Sequence, residues 1–88
     1  VEIPEATMEQ YVGVYELQHD LMITITKEGS QLYVQATGQE RFDIYPENDT
    51  VFYLTVVEAE ISFSMNDGVV ENLTLFQDGQ ELQGKKVE

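Results

Sequence analysis

The sequence predicts an all-β fold: a short antiparallel up-and-down barrel of about eight strands, preceded by a short N-terminal helical turn. Turn-forming clusters recur about every ten residues, at Glu28-Gly29-Ser30, Gly38-Gln39, Glu47-Asn48-Asp49, Asn66-Asp67-Gly68 and Gln77-Asp78-Gly79. The runs between them alternate apolar and polar residues, the period of a strand with one buried face. A meander of so many short strands leaves two edges exposed, and closure into a barrel removes both.

Each element has a local reason. Residues 4–10 read as a helical turn: Pro4 suits a first helical position, Glu5 sits where the helix dipole favours an acid, and Met8 shares a face with Tyr11 or Val12. So short a helix must pack on something. Residues 11–17 form the first strand, with Tyr11, Gly13, Tyr15 and Leu17 on one face. Gly13 inside that strand marks a bulge, a bend or a close backbone approach. Residues 21–27 alternate most cleanly, with Leu21, Ile23 and Ile25 pointing inward. Residues 31–37 turn Leu32, Val34 and Ala36 inward, and residues 40–45 turn Phe42 and Ile44 inward before Pro46, which has no N–H to donate to a ladder.

Residues 50–65 cannot be one straight strand. They would span roughly 50 Å at ~3.3 Å per residue, in a domain only ~30 Å across. The polar Glu58-Ala59-Glu60 is the expected fold-back. Residues 69–76 and 80–87 close the meander, with Leu73 and Leu75 inward on the first and Leu82 and Gly84 on one face of the second. Gly68 and Gly79 supply the positive φ that tight hairpins demand. The meander covers residues 11–87 of a single domain. Leu21, Ile23, Ile25, Leu32, Val34, Phe42, Ile44, Phe63 and Leu73 are expected to fill the barrel, leaving a packed core rather than a ligand cavity.

Composition narrows function mainly by exclusion. The 88 residues contain 17 acidic and 4 basic side chains, a net charge of −13, dispersed along the chain. Such a surface repels nucleic-acid backbones and anionic membranes. No apolar run approaches the length of a membrane-spanning helix. Without cysteine there is no disulfide, thiolate ligand or cysteine nucleophile. The abrupt start Val1-Glu2-Ile3-Pro4 is read as that of a domain excised from a larger protein.

No residue pattern points to catalysis. His19, the single histidine, lies beside Asp20 in a polar turn, where an exposed loop histidine is expected. Ser30, Ser62 and Ser64 begin no Ser-x-x-Lys motif and sit in no Gly-x-Ser-x-Gly elbow. Glu58 and Glu60, two apart, are read as acids on the wet face of a strand rather than an acid/base pair. Glu47-Asn48-Asp49 and Asn66-Asp67-Gly68 hold oxygen ligands but do not continue into a twelve-residue calcium loop, so they are read as turns. The sequons at Asn48 and Asn72 carry almost no weight. Tyr11, Tyr15, Tyr33, Tyr45 and Tyr53 lack the interleaved basic residues of a base-stacking platform and are read as packing residues. The expected sites are therefore structural (Gly13, Tyr15, Gly68 and Gly79), with no catalytic, cofactor or metal residues.

An ordered set of segments nevertheless carries a resemblance. Tyr11-Val12-Gly13-Val14-Tyr15-Glu16-Leu17 is followed by Leu32-Tyr33-Val34-Gln35 with Gly38-Gln39, then Pro46-Glu47 before Phe52-Tyr53. Residues 57–63, Gly79 and Lys85-Lys86-Val87 complete the order. The chain resembles the small C-terminal domain of unknown function that follows the catalytic domain in serine β-lactamase-related hydrolases, the class C β-lactamase and D-alanyl-D-alanine carboxypeptidase group. Gly13-Val14-Tyr15 is also similar to the lipocalin Gly-x-Trp opening, whose aromatic ring plugs the barrel base, with tyrosine in place of tryptophan. The resemblance implies a lipocalin-like barrel that serves as a bacterial, non-catalytic accessory domain, periplasmic or secreted. Its expected partner is an upstream hydrolase domain or a sister subunit. The alternative is a small-ligand or peptide binding module using the barrel mouth.

The charge imbalance makes the fold salt-dependent, because self-repulsion opposes compaction. The thermal midpoint followed by circular dichroism should rise between low salt and about 0.3 M salt, where screening is strong. An unchanged midpoint would contradict this.

Overall fold

The computed structural model describes residues 3–18 and 21–87. A helix, α1 (Glu5–Tyr11), precedes eight strands: β1 (Gly13–Gln18), β2 (Leu21–Glu28), β3 (Gln31–Ala36), β4 (Arg41–Pro46), β5 (Val51–Tyr53), β6 (Ala59–Asn66), β7 (Val69–Gln77) and β8 (Gln80–Lys86). Each strand pairs antiparallel with the next, and β8 pairs with β1, so the sheet closes into an up-and-down barrel. The longest dimension is 31 Å.

The turn chemistry produces this meander. At Asn66-Asp67-Gly68-Val69 and Gln77-Asp78-Gly79-Gln80 both central residues have positive φ: 54° and 80° in the first turn, 53° and 76° in the second. These are the two-residue hairpins that Asp-Gly favours, because their twist matches that of the flanking strands. A Cβ on Gly68 or Gly79 would meet nothing, so backbone conformation and not space selects glycine at both positions.

Two boundaries differ from the sequence expectation. The helix runs one residue further than expected, through Tyr11, and Val12 then swings into extended conformation. Tyr11 therefore ends a helix instead of starting a strand, because its ring is drawn under α1 into the core. The bulge lies at Leu17, between the pairs Glu16–Met22 and Gln18–Leu21. Gly13 instead takes φ 156° where helix passes into strand, and stands opposite Ile25 in regular register. The fold-back within residues 50–65 occupies residues 54–58, ahead of Glu60, which lies inside β6. Ala59 is buried and begins that strand, so the apolar Leu54 and Val57 belong to the loop.

α1 covers the end of the barrel at which β1 begins. Its first turn closes on the Pro4 carbonyl, which accepts from the amides of Thr7 and Met8. Ile3, Met8 and Tyr11 are buried beneath it, while Lys27 reaches Glu5 and Glu9 on its outer side at 3.9 and 3.7 Å. The carboxylates of those ion pairs are exposed, so the pairs add little; the apolar face does the anchoring. The Tyr11 ring stacks on Phe63 at 4.2 Å and meets Phe52 edge-on at 5.7 Å, and Tyr15 leans on Phe63 at 6.0 Å. The Tyr11 hydroxyl donates to the Asp49 carbonyl, and the Tyr15 hydroxyl donates to the Tyr11 carbonyl at 2.9 Å. Both phenols are thus buried with partners, as burial of a hydroxyl requires.

Of the nine expected core residues, Ile23, Ile25, Leu32, Val34, Ile44, Phe63 and Leu73 are buried. Leu21 and Phe42 are only half-buried. Both lie at strand starts, at the end of the barrel that α1 does not cover.

Two predictions follow from this packing. A Cβ on Gly84 would overlap the Leu17 side chain and stand 3.3 Å from the Glu16 carbonyl oxygen, at the seam between β8 and β1. Gly84→Ala should therefore cost about 1 kcal/mol and Gly84→Val about 1–3 kcal/mol in urea unfolding; a neutral Gly84→Val would contradict the tight seam. Burial, then the neighbouring Tyr11, pushes the Tyr15 phenol well above its ordinary pKa, and burial, then Asp49, raises Tyr11. The folded state thus keeps protons that unfolded tyrosine loses near pH ~10. Their contribution is complete below that pH and declines above it, by at most ~1.4 kcal/mol per pH unit for each group. Tyr15→Phe should flatten that alkaline decline while costing about 1 kcal/mol at neutral pH, both read from urea unfolding across pH. An unchanged alkaline slope would contradict the assignment.

Candidate functional site

The two ends of the barrel differ. Opposite α1, the connections β3–β4, β5–β6 and β7–β8, with the end of β1 and the start of β2, surround an end that no helix covers among the described residues. A pocket of about 160 Å³ enters the barrel there, lined by Ile23, Val34, Phe42, Ile61 and Leu75 from the strands and by Leu54 and Val57 from the β5–β6 loop. Gln39 and Gln77 are its polar members, and among the described residues no charged side chain lines it. The expectation of a filled interior therefore holds beneath α1 and fails at this mouth. Three aromatic rings and Tyr15 fill one end, whereas the open end has no comparable ring among its buried residues.

Beside the mouth, on the outer surface of β5 to β8, runs an open groove of about 600 Å³. Strand register builds it: Tyr53 stands opposite Glu60, Glu60 opposite Phe76, and Phe76 opposite Glu81. These residues point outward because they alternate with the buried Phe52, Ala59, Ile61 and the inward side of β7. Glu47, Glu58 and Asp78 join the walls, and among the described residues no lysine or arginine does. Repulsion from Glu60 holds the Glu47 carboxyl above the ordinary carboxylate range. Leu54, Ala59 and Gln77 line both cavities, so the apolar mouth and the acidic groove share a wall.

The residues singled out in the sequence are scattered. Gly13 and Tyr15 lie near α1, Gly68 in the β6–β7 turn at that same end, and Gly79 in the β7–β8 turn on the groove wall. Glu58 and Glu60 are brought together in the groove, Glu58 from the loop and Glu60 from β6. Ser62 and Ser64 flank the inward Phe63 on β6, beyond the inward Ile61, and Ser64 is exposed. His19 lies outside the described residues. The Asn48 side chain is used by its own loop, accepting from the amides of Thr50 at 3.0 Å and Val51 at 2.9 Å. Asn66 donates to Glu71 at 3.2 Å. Among the described residues no group of three or more His, Cys, Asp or Glu side chains is placed to hold a metal.

Sequence reasoning missed the mouth. Its loop residues Leu54 and Val57 fall ahead of the fold-back expected at Glu58-Ala59-Glu60, and Phe52, Ala59 and Ile61 are core residues beyond the nine expected. Tyr53 reads as a packing tyrosine and Phe76 as the end of a strand, and nothing in their spacing shows that strand pairing brings them to one groove.

Comparison with known proteins agrees with the resemblance seen in the sequence. The chain is 32% identical over 79 residues to penicillin-binding protein 4* of Bacillus subtilis (strain 168), a match that covers 90% of this chain and 18% of that protein. No solved structure matches the chain. A family model described as a domain of unknown function, DUF3471, matches residues 1–86, and the chain belongs to that family.

Proposed function

We propose that this barrel is a non-catalytic accessory domain of a serine β-lactamase-related hydrolase, and that it packs against the catalytic domain or a sister subunit. The observation that carries the reading is one of proportion: the chain matches over nearly its whole length, yet spans only 18% of the penicillin-binding protein it resembles. The architecture supports it. A closed, internally braced barrel with one open apolar end is suited to presenting a rigid surface to a neighbour.

A second reading, a binding module for a small apolar ligand, is favoured by the mouth itself. Its 160 Å³ is the size of an apolar cavity able to take a molecule such as benzene.

The two readings differ over what stabilises the fold. The chain alone is compared with the same chain inside its full natural reading frame, by calorimetry and by reading the frame. The accessory reading expects a Ser-x-x-Lys motif elsewhere in the frame and a barrel midpoint raised by about 4–8 °C for each 1 kcal/mol of contact energy. A frame lacking the motif, or a barrel whose midpoint does not move, would contradict it.

A further inference from the structure

We infer that the open end of the barrel is a docking site for a polypeptide segment carrying one apolar side chain flanked by lysine or arginine. The apolar side chain enters the mouth and the cations lie along the groove outside it. The inference deepens the accessory reading by naming the surface through which the domain packs and the chemistry of what it meets.

Size and lining choose the apolar part. A pocket of about 160 Å³, mostly apolar and among the described residues without a charged member, suits one leucine-sized or benzene-sized group. Around it the surface carries apolar side chains that a folded domain seldom leaves in one place: Val56 and Val57 on the loop, and Tyr53 and Phe76 on the adjoining strands, each more than a third exposed.

Charge complementarity chooses the flanks. Five carboxylates, Glu47, Glu58, Glu60, Asp78 and Glu81, line the groove that shares Leu54, Ala59 and Gln77 with the mouth. The chain's few cations are directed elsewhere: Lys27 to Glu5 and Glu9, Arg41 to Glu28 across the Tyr33 ring, and Lys86 to the Gln10 carbonyl. Lys85 lies near the end of β8 that meets α1, away from the groove. Acidic segments are thus repelled and uncharged ones gain only the mouth, whereas a basic segment relieves the crowding of Glu47 against Glu60. Tyr53 and Phe76 offer ring faces to the same cations.

The test is a titration of the isotope-labelled chain, followed by amide chemical shifts, with three blocked pentapeptides: Gly-Lys-Leu-Lys-Gly, Gly-Glu-Leu-Glu-Gly and Gly-Lys-Gly-Lys-Gly. The lysine–leucine peptide should give saturable shifts at Leu54, Ala59 and Gln77 with a dissociation constant near ~1 mM, the weak range expected of a short flexible ligand. The glutamate and glycine peptides should bind about tenfold more weakly, a difference of ~1.4 kcal/mol. Raising salt to about 0.3 M should weaken the first peptide severalfold. A Glu58→Gln/Glu60→Gln chain should lose the preference for lysine over glutamate, and Leu54→Ser the preference for leucine over glycine. All three positions are on the groove surface or the loop, and the spectrum itself reports that each variant is folded. Absence of saturable shifts up to about 10 mM peptide, equal binding of all three peptides, or shifts centred on α1 would overturn the inference. Such a failure alongside a raised midpoint in the full reading frame would leave the accessory reading standing and discard only this surface.

Discussion

A closed meander has to bring its first strand beside its last, and here that meeting is narrow. β1 and β8 share the register pairs Tyr15–Lys86 and Glu16–Lys85, extended by the Val87 amide donating to the Val14 carbonyl at 2.8 Å. Little backbone pairing holds the seam, so side-chain packing on both sides of it must hold β1 in place. Gly84, paired with the inward Leu73, lets Leu17 lie against the seam from the core side, and Tyr15 braces β1 from the same interior. Because Tyr15 donates to the Tyr11 carbonyl, and Tyr11 donates in turn to Asp49, one chain of contacts links the seam, the end of α1 and the β4–β5 loop. The remaining architecture depends on this brace.

The brace also explains why the two ends of the molecule are so unlike. Aromatic residues are bulky, and the ones that fill this small barrel are concentrated at one end: Tyr11, Tyr15, Phe52 and Phe63. The opposite end is walled by aliphatic residues and Phe42, whose volume is insufficient to close it. Stability is thus invested under α1, and a pocket is left where the β5–β6 loop crosses the mouth. The same asymmetry orders the charges. The helix end engages lysines, while the groove end collects carboxylates.

Much of the fold was legible in the sequence because hairpin chemistry is local. Asp67-Gly68 and Asp78-Gly79 announce their turns in two residues, and the alternation through Ile23 and Ile25 needs no tertiary information. Tyr11 was misplaced for the converse reason: whether its ring continues a strand face or closes a helix depends on Phe52 and Phe63, some forty to fifty residues away in sequence. The loop at residues 54–58 was shifted for a similar reason, since Glu60 looks like a break locally yet is an outward strand position opposite Tyr53 and Phe76. The candidate site was the least legible part. A groove assembled from Glu47, Tyr53, Glu60, Phe76 and Glu81 draws on five separate stretches of chain, and only the register of β5 to β8 puts them side by side.

If the sealed end is structural and the open end functional, contact with a neighbouring domain must be felt at one end only. Amide hydrogen exchange of the barrel, alone and within its full reading frame, reads this directly. Slower exchange is expected at residues 54–60 and 77–81 when the barrel is measured within its full reading frame, with the α1 end and the Asp49 loop unchanged. Protection concentrated on α1, or no difference anywhere in the barrel, would contradict it.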